Sequence, residues 1–157
     1  MKIKTGLGQD SHAFSDNKKP LILAGVNFKH SQGLSANSDG DVVLHAVTNA
    51  ISSITGINIL GSKADKLCQQ GVKDSAEYLK LAYQDLNNWQ IQHIAISIEC
   101  LTPKISPLID DMKLSIAKIL NIATDDVGIT ATTGEGLNAF GKGEGIQVFS
   151  IVTVSKQ

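Results

Sequence analysis

The chain has 157 residues, 42% of them apolar and 18% charged, with a formal net charge of −1. This is ordinary globular usage and suits a single domain spanning 1–157, since single cores of about 100–150 residues are the common size. The near-neutral balance and scattered lysines exclude the basic footprint of a nucleic-acid binder, and no apolar run approaches the ~18–20 residues of a membrane span.

The opening MKIKTGLGQD has no apolar signal stretch, so the expectation is a cytoplasmic protein, or a mature organellar one, with Cys68 and Cys100 as free thiols. Residues 2–7 and 21–28 read as strands of a hairpin-like opening, separated by the turn-rich SDNKKP. From Ser38 the period becomes helical. Ser38 or Asp39 is placed to cap a helix over about 41–55 that carries Val43, Val47, Ala50, Ile51 and Ile54 on one face and stops at Gly56.

Residues 57–73 show no clear period and read as a long loop of the kind that often carries function. Asp74 or Ser75 then caps a second helix, with Asp74 in capping-box spacing to Glu77, ending at Asn87 and Asn88. A strand is expected over 91–99, a third helix from Ser106-Pro107 to Asn121, and two more strands over 127–133 and 146–154 that flank the glycine-rich EGLNAFGKGEG.

This order predicts an α+β two-layer sandwich: a mostly antiparallel sheet of about four to five strands with three helices on one face. The other face ought to be polar, yet the last strand places Phe149 and Ile151 on one side and Ile146, Val148, Val152 and Val154 on the other. Another copy of the chain is the simplest cover for that second apolar face.

Asp10 and His12 lie two apart at the end of the first strand, so their side chains share a side. With His45, near the start of the first helix, they form a carboxylate and two imidazoles, a three-donor set with one position open as catalytic metal sites keep it. Zinc suits these donors best, with manganese or cobalt as substitutes. Asp41, one helical turn before His45, is expected to orient that imidazole. Taken alone the spacing also suits packed or surface histidines, and His30 and His93 are read that way.

Four motifs occur in order: GLGQDSHAF at 6–14, NSDGDVVLHA at 37–46, TPK at 102–104, and ATTGEGL at 131–137 followed by GKGEGI at 141–146. Together they resemble the 2-C-methyl-D-erythritol 2,4-cyclodiphosphate synthase family over essentially the whole chain. The resemblance implies a homotrimer with active sites between subunits. It also implies a reaction, in which the 2-phosphate of a cytidine diphosphate-linked methylerythritol attacks the diphosphate of the same molecule and releases CMP. Such an enzyme is a phosphorus–oxygen lyase of the non-mevalonate isoprenoid pathway.

The same resemblance assigns Asp10, His12 and His45 to a metal, best met by Zn2+, that grips one phosphate, and gives Glu135 a part in holding a second ion, Mg2+ or Mn2+, on the diphosphate. Thr132 and Thr133 donate hydroxyl hydrogen bonds, and Lys142 contacts phosphate as a point charge. The stretch Cys100, Leu101, Thr102, Pro103, Lys104, Ile105, Ser106 corresponds to the cytidine-reading segment, and also suits a plain strand-to-helix turn. Ser38, Asn58, Ile59, Leu60, Asp65 and Gly134 fall among the substrate contacts, and Asn37, Thr133 and Glu135 in the catalytic group.

Departures from the family concentrate on substrate contacts. Asn37 stands where the family has a histidine, Asn58 and Leu60 stand in INIL where it reads DIG, and residues 63–67 keep only Asp65 of an FPDTD stretch. Ala139 and Lys142 replace a phenylalanine and an arginine, and lysine lacks the bidentate fork. Two rival expectations are therefore an enzyme acting on a related phosphorylated diol or nucleotide, and a non-catalytic trimer that retains the metal.

Overall fold

Strand β6 (Gly145–Lys156) organises the sheet, and its alternation decides which face meets the helices. Ile146, Val148, Val152 and Val154 are completely buried, whereas Phe149 and Ile151 on the other side remain 41% and 45% exposed. The computed structural model describes residues 1–157. Antiparallel partners flank β6: β1 (Lys2–Ala13) on one side and β4 (Gln90–Glu99) on the other. Strand β5 (Val127–Thr132) adds in parallel to β4, giving the order β1-β6-β4-β5. A parallel neighbour needs a crossover, which α4 (Ile109–Leu120) supplies.

The inward face packs on α1 (Val42–Thr55), which crosses β1 and β6, and on α4, with α3 (Ser75–Gln84) against α1. Met112, Ile116 and Leu120 of α4 and Ile94, Ile96 and Ile98 of β4 join the same core as Val43, Val47 and Ile51 of α1. No helix is long and apolar enough to cross a membrane.

The α+β reading holds, with three corrections. The first strand continues to Ala13, because it pairs with β6 along its length, from Lys2 with Lys156 to Ala13 with Gly145. Residues 21–28 do not pair with it. They form a separate small hairpin, β2 (Leu21–Leu23) and β3 (Val26–Phe28), turned at Ala24-Gly25 with φ of 54° and 74°. The expected loop contains a fourth helix, α2 (Ser62–Gln69), whose only buried residue is Ala64, too little apolar surface to write a period. The sheet is mostly antiparallel as expected, with β4–β5 its one parallel pairing.

Cap chemistry accounts for the shifted ends. Asp41, not Ser38 or Asp39, caps α1 by accepting from the Leu44 amide, and Gly56 ends it in left-handed geometry at φ 76°. Asp74 caps α3 through the Ala76 amide, but the helix stops at Gln84, short of the asparagines. Before α4, Ser106–Leu108 form a single 3-10 turn with the proline at its start.

Candidate active site

Asp10 and His12 pair across the sheet with Val148 and Ile146, so both side chains point to the helix side. There α1 crosses β1 and presents His45. Nδ1 of His45 and Nε2 of His12 each lie 3.0 Å from Asp10 Oδ2, and the two nitrogens are 3.3 Å apart. Donors bound at about 2.0–2.2 Å around a tetrahedral ion stand roughly 3.3–3.6 Å from one another, so the three atoms need move only slightly to share one. The donor chemistry and the spacing both fit a divalent metal. Burial raises the Asp10 carboxyl, but hydrogen bonds and charge from His12 and His45 outweigh it and hold the group at about 2.

The far nitrogen of His45, Nε2, lies 2.7 Å from Ser75 Oγ at the start of α3. Ser75 Oγ donates in turn to Asp39 Oδ1 in a very short hydrogen bond, and the Ser75 amide donates to Asp39 Oδ2 at 3.0 Å. Asp41 does not orient the imidazole as its spacing suggested. Its carboxylate is fully buried and accepts from the Ala24, Gly25 and Leu44 amides at 2.7–3.0 Å, tying the small hairpin to α1. Burial pushes that carboxyl up to about 6 despite the three amides.

The metal donors open onto a cleft of about 360 Å³, whose walls include Asn37, Ser38, Leu60 and Asp65. Asn58 is solvent-exposed beyond this lining, and the Ile59 side chain is fully buried in the core. Lys19 braces the cleft rim, its Nζ donating to the carbonyls of Ala36 and Ser38 at 3.0 and 2.8 Å. Cys68 and Tyr78 also line the cleft, and sequence reasoning missed both. Cys68 lies on the helix that has no apolar period, and Tyr78 falls outside the Leu79, Ala82, Tyr83 and Leu86 face that the spacing of its helix picks out.

The remaining expected residues gather elsewhere. The Cys100 amide donates to the Thr132 carbonyl and the Leu101 amide to Phe140, so the 100–106 segment, Thr132–Glu135 and the glycine-rich turn form one cluster. Cys100 and Ile105 are buried, while Leu101, Thr102, Lys104, Ser106, Thr132, Thr133, Glu135 and Lys142 are exposed, with Pro103 and Gly134 between. Thr132 and Thr133 accept from the Gly134 and Glu135 amides.

Register measures the separation of the two clusters. Asp10 is level with Val148, Val148 with Ile98, and Ile98 with Ala131. Both clusters therefore sit at one end of the sheet, three strand steps or roughly 14 Å apart. A single chain does not close them into one pocket. His30, read as structural or surface, bridges part of the gap: its ring stacks on Phe14 with centroids 4.8 Å apart, and its Nε2 lies 3.1 Å from Thr102 Oγ1.

An α+β domain with an aspartate and two histidines converging at a sheet–helix seam has the donor set and spacing that could hold a divalent metal ion. The chain belongs to the YgbB family, which matches residues 3–155, and to its 2-C-methyl-D-erythritol 2,4-cyclodiphosphate synthases. The synthase of Chlamydia muridarum is 52% identical over 155 residues, covering 96% of this chain and 87% of its own length. That of Chlamydia caviae is 51% identical, over 98% and 89%. The bifunctional IspDF of Campylobacter jejuni superposes with a TM-score of 0.91 at 33% identity, over 99% of this chain and 43% of that longer one. The Plasmodium falciparum IspF CDP complex gives 0.84 at 25% identity, over 99% and 97%.

Proposed function

We propose that this chain converts 4-diphosphocytidyl-2-C-methyl-D-erythritol 2-phosphate to 2-C-methyl-D-erythritol 2,4-cyclodiphosphate and CMP, as a cytoplasmic phosphorus–oxygen lyase. The observation that carries the proposal is the convergence of Asp10, His12 and His45 on an open cleft, in a chain that aligns with named synthases over 96% of its length.

Intramolecular phosphoryl transfer asks for alignment and for neutralised charge more than for covalent chemistry. Asp10, His12 and His45 would hold a divalent ion, zinc by the character of the donors, and such an ion would supply positive charge to phosphate oxygens. Beside it, Asn37 and Ser38 offer neutral donors from the cleft wall. Thr132 and Thr133 donate hydroxyls, Lys142 contributes a mobile positive charge, and Glu135 would help hold a second ion, Mg2+ or Mn2+, which would neutralise diphosphate charge. The turn from Cys100 to Ser106, in which Lys104 is exposed, presents backbone groups to the cytosine edge.

The two clusters become one site when copies associate. Leu7, Phe149 and Ile151 stand exposed on the helix-free face, and covering that face in a homotrimer also brings one subunit's metal donors towards the next subunit's nucleotide segment. The test is CMP release from the cytidine diphosphate substrate with and without Zn2+ and Mg2+. Metal-dependent release supports the proposal. Zinc binding without release leaves the non-catalytic or redirected trimer as the better reading.

A further inference from the structure

We propose that Asp39 and Ser75 are positioning residues that fix the tautomer of the His45 ring and so keep its Nδ1 free as the metal-facing lone pair. The inference rests on the reading of Asp10, His12 and His45 as a metal centre. Three elements supply the chain of contacts: Asp39 from the loop before α1, Ser75 from the first position of α3, and His45 from α1.

Proton counting gives the chain a direction. The carboxylate of Asp39 is surrounded by donors, with the Asp41 amide on Oδ1 at 3.0 Å and the Ser75 amide on Oδ2 at 3.0 Å, and it returns none of them. A serine hydroxyl has one hydrogen, and here the acceptor for it is Asp39 Oδ1. Ser75 Oγ can then meet His45 Nε2, 2.7 Å away, only by accepting from an Nε2–H. Around a bound metal the imidazole is neutral and carries one N–H, so placing it on Nε2 leaves Nδ1 bare, and the Nδ1 proton that hydrogen-bonds Asp10 in the metal-free protein is the one a metal would displace. Nδ1 is the nitrogen 3.0 Å from Asp10 Oδ2 and 3.3 Å from His12 Nε2.

Burial makes this direction consequential. His45 is 7% exposed and Ser75 fully buried, so water does not replace a missing partner, and an unpaired ring N–H is free to rotate away or change tautomer. The loop itself does not hang on the hydroxyl. Asp39 N donates to the Lys73 carbonyl at 2.9 Å and Ser75 N to Asp39 Oδ2, and both bonds survive removal of Ser75 Oγ.

The test is zinc affinity by chelator competition on the full chain, independent of turnover. Ser75→Ala and Asp39→Asn are each expected to weaken Zn2+ about 10–100-fold, the usual effect of removing a partner that orients a metal-binding histidine. Asp39→Asn is isosteric, and with its oxygen kept on the Ser75 amide its NH2 donates to Ser75 Oγ in place of accepting, which gives up the Asp41 amide bond, turns the hydroxyl proton towards Nε2 and favours the wrong tautomer. Because both changes break one chain, the double variant should bind little worse than the weaker single variant. In the zinc-loaded parent the His45 Nε2 proton should exchange slowly by NMR, and the protection should vanish in Ser75→Ala. Zinc affinities within about twofold of the parent, or fully additive losses, overturn the proposal. If metal-free Ser75→Ala fails the urea unfolding control, Asp39→Asn decides. A parent that binds no zinc instead overturns the metal centre, and this inference with it.

Discussion

Gly8 of β1 and Ala46 of α1 approach so closely that a Cβ at position 8 would lie 2.0 Å from the Ala46 carbonyl oxygen and 2.3 Å from the Ala50 amide nitrogen. The missing side chain lets the helix ride directly on the strand, which sets His45 beside Asp10. Gly8→Ala must therefore displace backbone rather than a flexible side chain. Overpacking ordinarily costs about 1–3 kcal/mol, and this case belongs at or above the upper end. Urea unfolding should show that loss, and zinc affinity should fall with it. A variant that unfolds at the parent's urea midpoint would show that α1 shifts freely.

The helix-free face yields a second prediction. Phe149→Glu or Ile151→Glu places a charge where an association surface is proposed, while leaving Asp10, His12 and His45 on the opposite side of the sheet. Light scattering should report a smaller species, and CMP release should drop about a hundredfold, as expected when reacting groups lose their alignment. Zinc should still bind. An unchanged particle mass with unchanged turnover would dissociate this face from assembly.

The two thiols should differ in reactivity. Burial, with the neighbouring Glu99 charge, pushes the Cys100 thiol up to about 11, so at pH 8 only about one in a thousand is thiolate. Cys68 is half-buried and faces the cleft. A disulfide reagent at pH 8 should label Cys68 alone in the folded protein and both cysteines in urea. Rapid labelling of Cys100 at pH 8 would contradict its burial.

The sequence was most readable where a single periodicity had a single cause. Alternation in β6 separated Val148 and Val152 from Phe149 and Ile151, and the two-residue step from Asp10 to His12 put both on one side of β1. What stayed hidden depended on contacts between distant positions. Asp39 meets Ser75 across 36 residues, whereas the four-residue spacing of Asp41 and His45 pointed to the wrong carboxylate. That aspartate was already committed to capping α1 and holding the Ala24-Gly25 turn. Helix α2 escaped notice because Ala64 alone of its residues is buried, and the parallel β4–β5 pairing because strand direction leaves no mark in composition.

The last prediction concerns Asn37, which occupies the cleft wall where the family resemblance calls for a histidine. Its side chain is solvent-exposed, and its backbone is fixed by other means: the Asn37 carbonyl accepts from Cys68 Sγ at 3.0 Å, and Lys19 grips the carbonyls on either side. Asn37→His should therefore change the donor without moving the loop. Charge-assisted hydrogen bonds are roughly twice as strong as neutral ones, so a cationic ring against phosphate is expected to recover about 1–2 kcal/mol in the transition state, or five- to thirtyfold in rate. The gain should appear in kcat more than in KM, because the amide already supplies a ground-state hydrogen bond. His45→Ala should abolish CMP release in the same assay by removing a metal donor. If Asn37→His leaves the rate unchanged or lower in a protein that still binds zinc and keeps its assembly, the rim between Lys19 and Cys68 has adapted to asparagine, and the missing charge is not what limits turnover.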